Sequence, residues 1–211
     1  MVQNTPENIV EKTRGRPKAY DRNTALKAMR EVFWAKGYAA TSLDDLSAAT
    51  AMNRPSLYNA FGEKAQVFKA VLDDYIDEIK PLYEKAFKTG TTLKEALTAV
   101  YDTALDIYLV HTRGLGCFMI GAALTDSVRD DEVGAMVLAR LYEMDKGFGW
   151  LMKCAQTRGE LRPGAEPRAL AMLASSVHNT ISVRMRAGEK LGELKAYIAS
   201  MVDLICLQAV A

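Results

Sequence analysis

A short run of this 211-residue chain, Asn53-Arg54-Pro55-Ser56-Leu57-Tyr58-Asn59, gathers polar side chains at the start of a helix. Those residue types can read a base edge. Arginine bonds guanine O6 and N7 in bidentate fashion, and asparagine does the same with adenine N6 and N7. Asn53 has a second possible use, because asparagine ahead of a helix caps its free N–H groups. Leu57 and Phe61 stand one turn apart and suit the inward face. Further upstream, Arg14-Gly15-Arg16-Pro17-Lys18 resembles an AT-hook core. Gly and Pro keep such a segment thin, so that Arg14, Arg16 and Lys18 can lie in a narrow A·T minor groove. The same composition also suits an ordinary basic tail. Met1 to Val71 carries 11 basic and 7 acidic residues, and the remainder 16 and 19. A basic front end on a mildly acidic body points to a polyanion partner for the front.

Other reactive side chains are sparse. Cys117, Cys154 and Cys206 lie far apart with no CxxC spacing, and neither His111 nor His178 has a ligand-type residue four positions away. A disulfide framework, a metal site and a cofactor are therefore not expected. Cys117 follows Arg113-Gly114-Leu115-Gly116 at a helix N-terminus, a setting that can stabilise a thiolate; a small buried hydrophobe is the other reading. No nucleophile elbow or phosphate loop is present, so an enzyme is not expected. The competing classes are a helical thiol enzyme using Cys117 and His111, and an adaptor that does not bind DNA. The longest uncharged run, Ala169 to Val183, has 15 residues, short of the ~20 that a membrane helix needs. With no apolar leader segment either, a cytoplasmic protein with no membrane partner is expected.

These side chains need elements to hold them. The chain has 30 Ala and 22 Leu against 22 Val plus Ile, a balance that favours helix, and no period-2 run suggests a strand. The expectation is an all-α fold of about nine helices. Leu26, Met29, Val32 and Phe33 recur at helical spacing before Gly37, giving a helix over 22–36. Thr41 and Ser42 can cap the next, 43–50, with Asp44 and Asp45 in its first turn. A break at 51–53 leads to a third over 54–61. Two short helices joined by three residues match a helix-turn-helix, whose second helix enters the major groove. A fourth starts near Glu63 and should kink or stop at Pro81. Longer helices follow to the C-terminus. The expected division is a basic arm, 1–20, a helix-turn-helix domain, 21–66, and a third part, 67–211.

The string Gly37-Tyr38-Ala39-Ala40-Thr41-Ser42-Leu43-Asp44-Asp45-Leu46, then Pro55 to Lys64 and Val67-Phe68, resembles the DNA-binding domain of the TetR family of repressors. Roughly residues 20 to 70 carry the likeness. Ser47 and Ala51 depart from it, since the family prefers Ala and Gly there; Ala51 would weaken a turn that needs positive φ. The resemblance implies a ligand-responsive repressor binding palindromic half-sites of double-stranded DNA as a homodimer. Asn53, Arg54, Pro55, Ser56 and Asn59 would face bases, and Thr41, Tyr58 and Lys64 would contact phosphates. The middle helices would enclose a pocket for an apolar or aromatic effector, with Tyr83, Tyr101, Tyr108, His111, Cys117, Phe118, Phe148 and Trp150 as candidate lining. His178 is expected in core or interface. The last two helices would pair with their copies through Leu173, Val177, Ile181, Leu194, Ile198 and Ile205. Within such a family Cys117 could also serve to sense electrophiles.

Overall fold

The computed structural model describes residues 21–110 and 114–209, and among them it contains nine α-helices and no strand. They are α1 (Arg22–Lys36), α2 (Leu43–Thr50), α3 (Arg54–Phe61), α4 (Lys64–Phe87), α5 (Leu93–Val110), α6 (Phe118–Ala123), α7 (Asp131–Thr157), α8 (Pro167–Arg186) and α9 (Leu191–Ala209). Local chemistry sets the first ends. The Thr24 N–H donates to the Asp21 carboxylate at 2.7 Å to cap α1, and Gly37, at φ 80°, ends it. Ser42 and Asp45 form a reciprocal capping box on α2. Asn53 caps α3 by accepting from the Ser56 N–H at 2.8 Å, and Pro55 sits in the first turn, where no N–H partner is needed. Between α2 and α3, Ala51 lies at φ 54°, ψ 21°, the one non-glycine residue of positive φ among the described residues. The Ser47 hydroxyl donates to the Met52 carbonyl and fastens this turn from inside.

α4 does not stop at Pro81 as the sequence suggested, but continues to Phe87. Proline removes one N–H and crowds the carbonyl four residues back, that of Asp77. Asp77 and Pro81 are both exposed, so water can serve that carbonyl. Tyr83 and Ala86, buried on the opposite side, hold the helix on course.

Two apolar clusters organise the chain. In the first, rings of α1, α4 and α6 interlock: Phe118 lies 5.1 Å from Trp34 and 5.6 Å from both Phe68 and Tyr75. α4 crosses residue 66 without a break and gives Val67, Phe68, Val71 and Leu72 to this cluster. The reading head and the body therefore share a helix. The second cluster is built by α5, α7, α8 and α9 around Leu97, Tyr101, Phe148 and Met152.

Five of the six residues expected at a dimer contact belong to that second cluster. Val177, Ile181, Leu194, Ile198 and Ile205 are at most 4% exposed within one chain. The inward stripe of the last helix pair closes its own bundle and has nothing left to offer a partner. Leu173 is the exception, at 38% exposed. The outward faces carry Met172, Leu173 and Val183 on α8, and Leu204 and Leu207 on α9.

Candidate functional site

α3 presents Asn53, Arg54, Pro55, Ser56, Tyr58 and Asn59 to solvent, while Leu57 and Phe61 pin it to the head. The carbonyl oxygen of Asn53 is taken by the helix cap, leaving its amide hydrogens free to donate. The Arg54 guanidinium donates through Nε and Nη2 to both carboxylate oxygens of Asp44 on α2. This fork-on-fork pair occupies one bidentate edge of the guanidinium and leaves the Nη1 hydrogens and the second Nη2 hydrogen to donate elsewhere. Tyr58 is open, with its hydroxyl 3.5 Å from Glu63.

Two expected phosphate contacts stand differently. Thr41 is buried, and its hydroxyl donates to the Gly37 carbonyl at 2.7 Å. It closes the turn after α1 rather than facing solvent as a phosphate contact was expected to, and the cap of α2 passes to Ser42. The Lys64 ammonium donates to the Ala39 carbonyl at 3.1 Å and lies 4.5 Å over the Tyr38 ring. Arg14, Arg16 and Lys18 lie outside the described residues.

The turn that carries Thr41 is also bolted to the body. The Tyr38 N–H donates to the Ala122 carbonyl at 2.6 Å, and its hydroxyl to Asp130 at 2.9 Å. The Ala39 N–H donates to Asp126 at 2.9 Å. Arg186 of α8 reaches the carbonyls of Leu115 and Trp34 at 3.2 and 3.4 Å. The end of α6 and the α6–α7 loop thus hold the head beside α4. Asp126 and Asp130 are the residues that sequence reasoning missed here, since only the fold brings them to Tyr38.

A cavity of about 650 Å³ opens between α4, α7 and α8, reaching Cys117 and Met119 at α6. Tyr83, Tyr108 and Cys117 line it as expected for pocket residues. Four others do not. Trp150 is 48% exposed and points outward from α7. Phe118 is locked in the head cluster. Tyr101 is buried deeper, its hydroxyl donating to the Ala174 carbonyl at 2.9 Å. Phe148 lies behind the wall, 5.3 Å from Phe87. His111 lies outside the described residues. The polar centre of the cavity is instead His178, whose Nε2 shares a hydrogen bond of 2.8 Å with the Tyr83 hydroxyl. Burial holds the imidazole down at about 4, so it is neutral at pH 7. Its place on the stripe of Ala174, Val177 and Ile181 was the sequence signal that it faces inward. Burial also pushes the Cys117 thiol up, against the thiolate that its helix position suggested.

Residues 25–71 match the model for bacterial regulatory proteins of the tetR family. Over 186 residues the chain is 32% identical to the HTH-type transcriptional repressor ComR of Escherichia coli (strain K12), covering 88% of this chain and 89% of that one. The chain belongs to the TetR family. It is a DNA-binding transcriptional regulator, as that membership shows. One further relative differs in sign. The HTH-type transcriptional activator FasR of Mycolicibacterium smegmatis is 29% identical over 98 residues, 46% of this chain and 45% of that one. Among solved structures, a cysteine mutant of the TetR family regulator CifR, complexed with 26-bp double-strand operator DNA, superposes with a TM-score of 0.79. It is 26% identical and covers 89% of this chain and 98% of that one. No helix among the described residues is long and apolar enough to cross a membrane.

Proposed function

We propose that this TetR-family regulator is a repressor that grips a palindromic operator as a homodimer and lets go when a small apolar or aromatic effector fills the cavity. The observation that carries this reading is that cavity and head share the same two supports. α4 lines the cavity with Tyr75, Ile79 and Tyr83 and enters the head core with Val67, Phe68 and Val71. α6 touches the cavity through Met119 and holds the Tyr38 turn through Ala122, beside Asp126 and Asp130. A ligand that spreads α4 from α7 therefore loads both. It shifts the equilibrium only if it favours the spacing of the two heads that does not fit DNA. ComR, matched along nearly the whole chain, supports repression over activation.

On DNA, Arg54, Pro55, Ser56 and Asn59 face the bases, with Asn53 donating from its amide. Tyr58 and Lys64 meet phosphates, Lys64 keeping further N–H groups beyond the one spent on Ala39. The arm carrying Arg14, Arg16 and Lys18 follows a flanking minor groove. The dimer pairs the outward faces of α8 and α9, where Met172, Leu173, Val183, Leu204 and Leu207 are exposed. The protein works in the cytoplasm beside its DNA and acts by binding rather than by catalysis.

The test is a cavity filler. Met144→Trp should occupy the space in place of an effector and weaken operator binding with no ligand added. A folded Met144→Trp dimer that binds the operator as well as wild type would refute the coupling.

A further inference from the structure

The two ends of the cavity differ in chemistry. Its rim carries Asp73, Asp77, Glu84 and Glu143 against Lys80 and Arg140. Both bases are matched already: Arg140 bonds Glu143 at 2.7 Å and Asp73 at 3.1 Å, and Lys80 lies 4.0 Å from Glu84. Nothing lining the cavity offers a carboxylate ligand an unmatched positive charge, and the surplus acids repel one. The floor holds Tyr75, Tyr83, Tyr108, His178 and Asn179. Tyr83 and His178 are joined at 2.8 Å, with the Tyr75 hydroxyl, the far nitrogen of His178 and the Asn179 side chain grouped beside them. Burial keeps all three phenols protonated and the imidazole neutral. The floor thus offers hydrogen bonds but no counter-charge, so a polar group buried there must be neutral, whichever sign the rim favours. Between floor and rim the wall is Ile76, Ile79, Phe87, Leu141 and Met144. Phe87 and the Tyr83–His178 pair extend an edge-to-face ring array, with centroids 5.3 Å apart for Phe87–Phe148 and 5.5 Å for Tyr83–His178. A further flat ring can join such an array, and the Met144 sulfur adds a polarisable contact.

We propose that the cavity takes an uncharged aromatic compound bearing a hydroxyl or carbonyl group, which lies between α4 and α7 and meets Tyr83 and His178 at its polar end. The volume suits a ligand of one to three rings. This assignment rests on the reading of the cavity as the effector site, and it narrows the class of effector.

The experiment uses four probes on one ring frame: naphthalene, 2-naphthol, 2-naphthoate and 2-naphthylmethylammonium. Each is titrated into the full-length dimer by calorimetry at neutral pH. 2-Naphthol should bind about tenfold or more tightly than naphthalene, the value of one hydrogen bond to a buried polar group, and above 2-naphthoate by at least as much. Tyr83→Phe should erase the preference for 2-naphthol over naphthalene while still binding both. His178→Phe should also lower that preference; Tyr83→Phe keeps the ring in place, so it remains informative should His178→Phe fail to fold. Equal binding of naphthol and naphthalene, or a charged probe binding as well as naphthol, overturns the assignment, as does a failure of all four to bind. Operator release is read separately by gel shift. Naphthol that binds without releasing DNA leaves the ligand class standing and overturns the effector reading instead.

Discussion

The turn between α2 and α3 allows a sharp test, because one methyl group there works against the backbone. Ala51 sits at φ 54°, ψ 21°, where an L-residue with a Cβ loses ~1–2 kcal/mol relative to glycine. Ala51 is exposed, so Ala51→Gly sacrifices no buried contact. Glycine's greater freedom in the unfolded chain takes back about 0.5–1 kcal/mol. The balance is a stabilisation of roughly 0.5–1 kcal/mol, or about 1–4 °C in Tm for a chain of this length. Ala51→Val should move the other way by more than ~1 kcal/mol, since a β-branched side chain is the worst suited to positive φ. Thermal unfolding of both variants by circular dichroism, with urea titrations alongside, measures the pair. Operator affinity should stay within about twofold for Ala51→Gly, because the turn geometry is the one already present. A Gly variant that melts lower than wild type, or a Val variant that melts higher, would refute the assignment of this backbone conformation.

Arg54→Ala should weaken operator binding by roughly ten- to a hundredfold and relax preference at a single base pair, as competition binding on base-substituted duplexes would show. Lys64→Ala should weaken all sequences alike and lower the slope of log K against log salt by about one, whereas an unchanged slope would leave Lys64 only its hold on Ala39. His178 is held at about 4 in the folded chain, against about 6.5 when unfolded. The unfolded state therefore takes up the proton first. Stability is full above about pH 6.5 and is lost as pH falls toward 4, by up to about 3 kcal/mol. His178→Gln should flatten that window in a series of denaturant titrations. Leu173→Asp or Val183→Asp should yield a folded monomer by sedimentation, while Ile181→Asp should fail to fold, because its side chain lies in the core of one chain; a dimer that survives the outward substitutions would move the interface elsewhere.

The head was legible in the sequence because its signals are local. Ser42 and Asn53 each cap the helix that begins beside them, and Gly37 ends the first. No distant residue is needed to place those boundaries. Pro81 offered a kink or a stop, and the stop does not occur: burial of Tyr83 and Ala86, set by the fold, carries the helix past it. The candidate site divides along the same line. The base-facing residues of α3 could be named from type and position, since they need only be exposed. The cavity could not, because residue type does not say which face a side chain takes. Phe148 and Trp150 are two residues apart on α7 and so turn to nearly opposite sides, one buried and one exposed. His178 was expected in core or interface and is buried, but its partner, a phenol 95 positions earlier, could not be named from the sequence. Likewise, the apolar stripes of α8 and α9 were clear, but periodicity does not tell whether a neighbour in the same chain or a second copy covers a stripe.

Selection of duplexes from a random library by the full-length protein, followed by footprinting on the enriched sequence, tests the central claim most directly. The account predicts a palindromic motif whose half-site centres lie one helical turn apart, about 34–36 Å, or a multiple of it. Each half-site should be protected by one protomer, and Arg54→Ala should lose the enrichment. Recovery of no motif above nonspecific binding, or of an asymmetric single site held by a monomer, would contradict it.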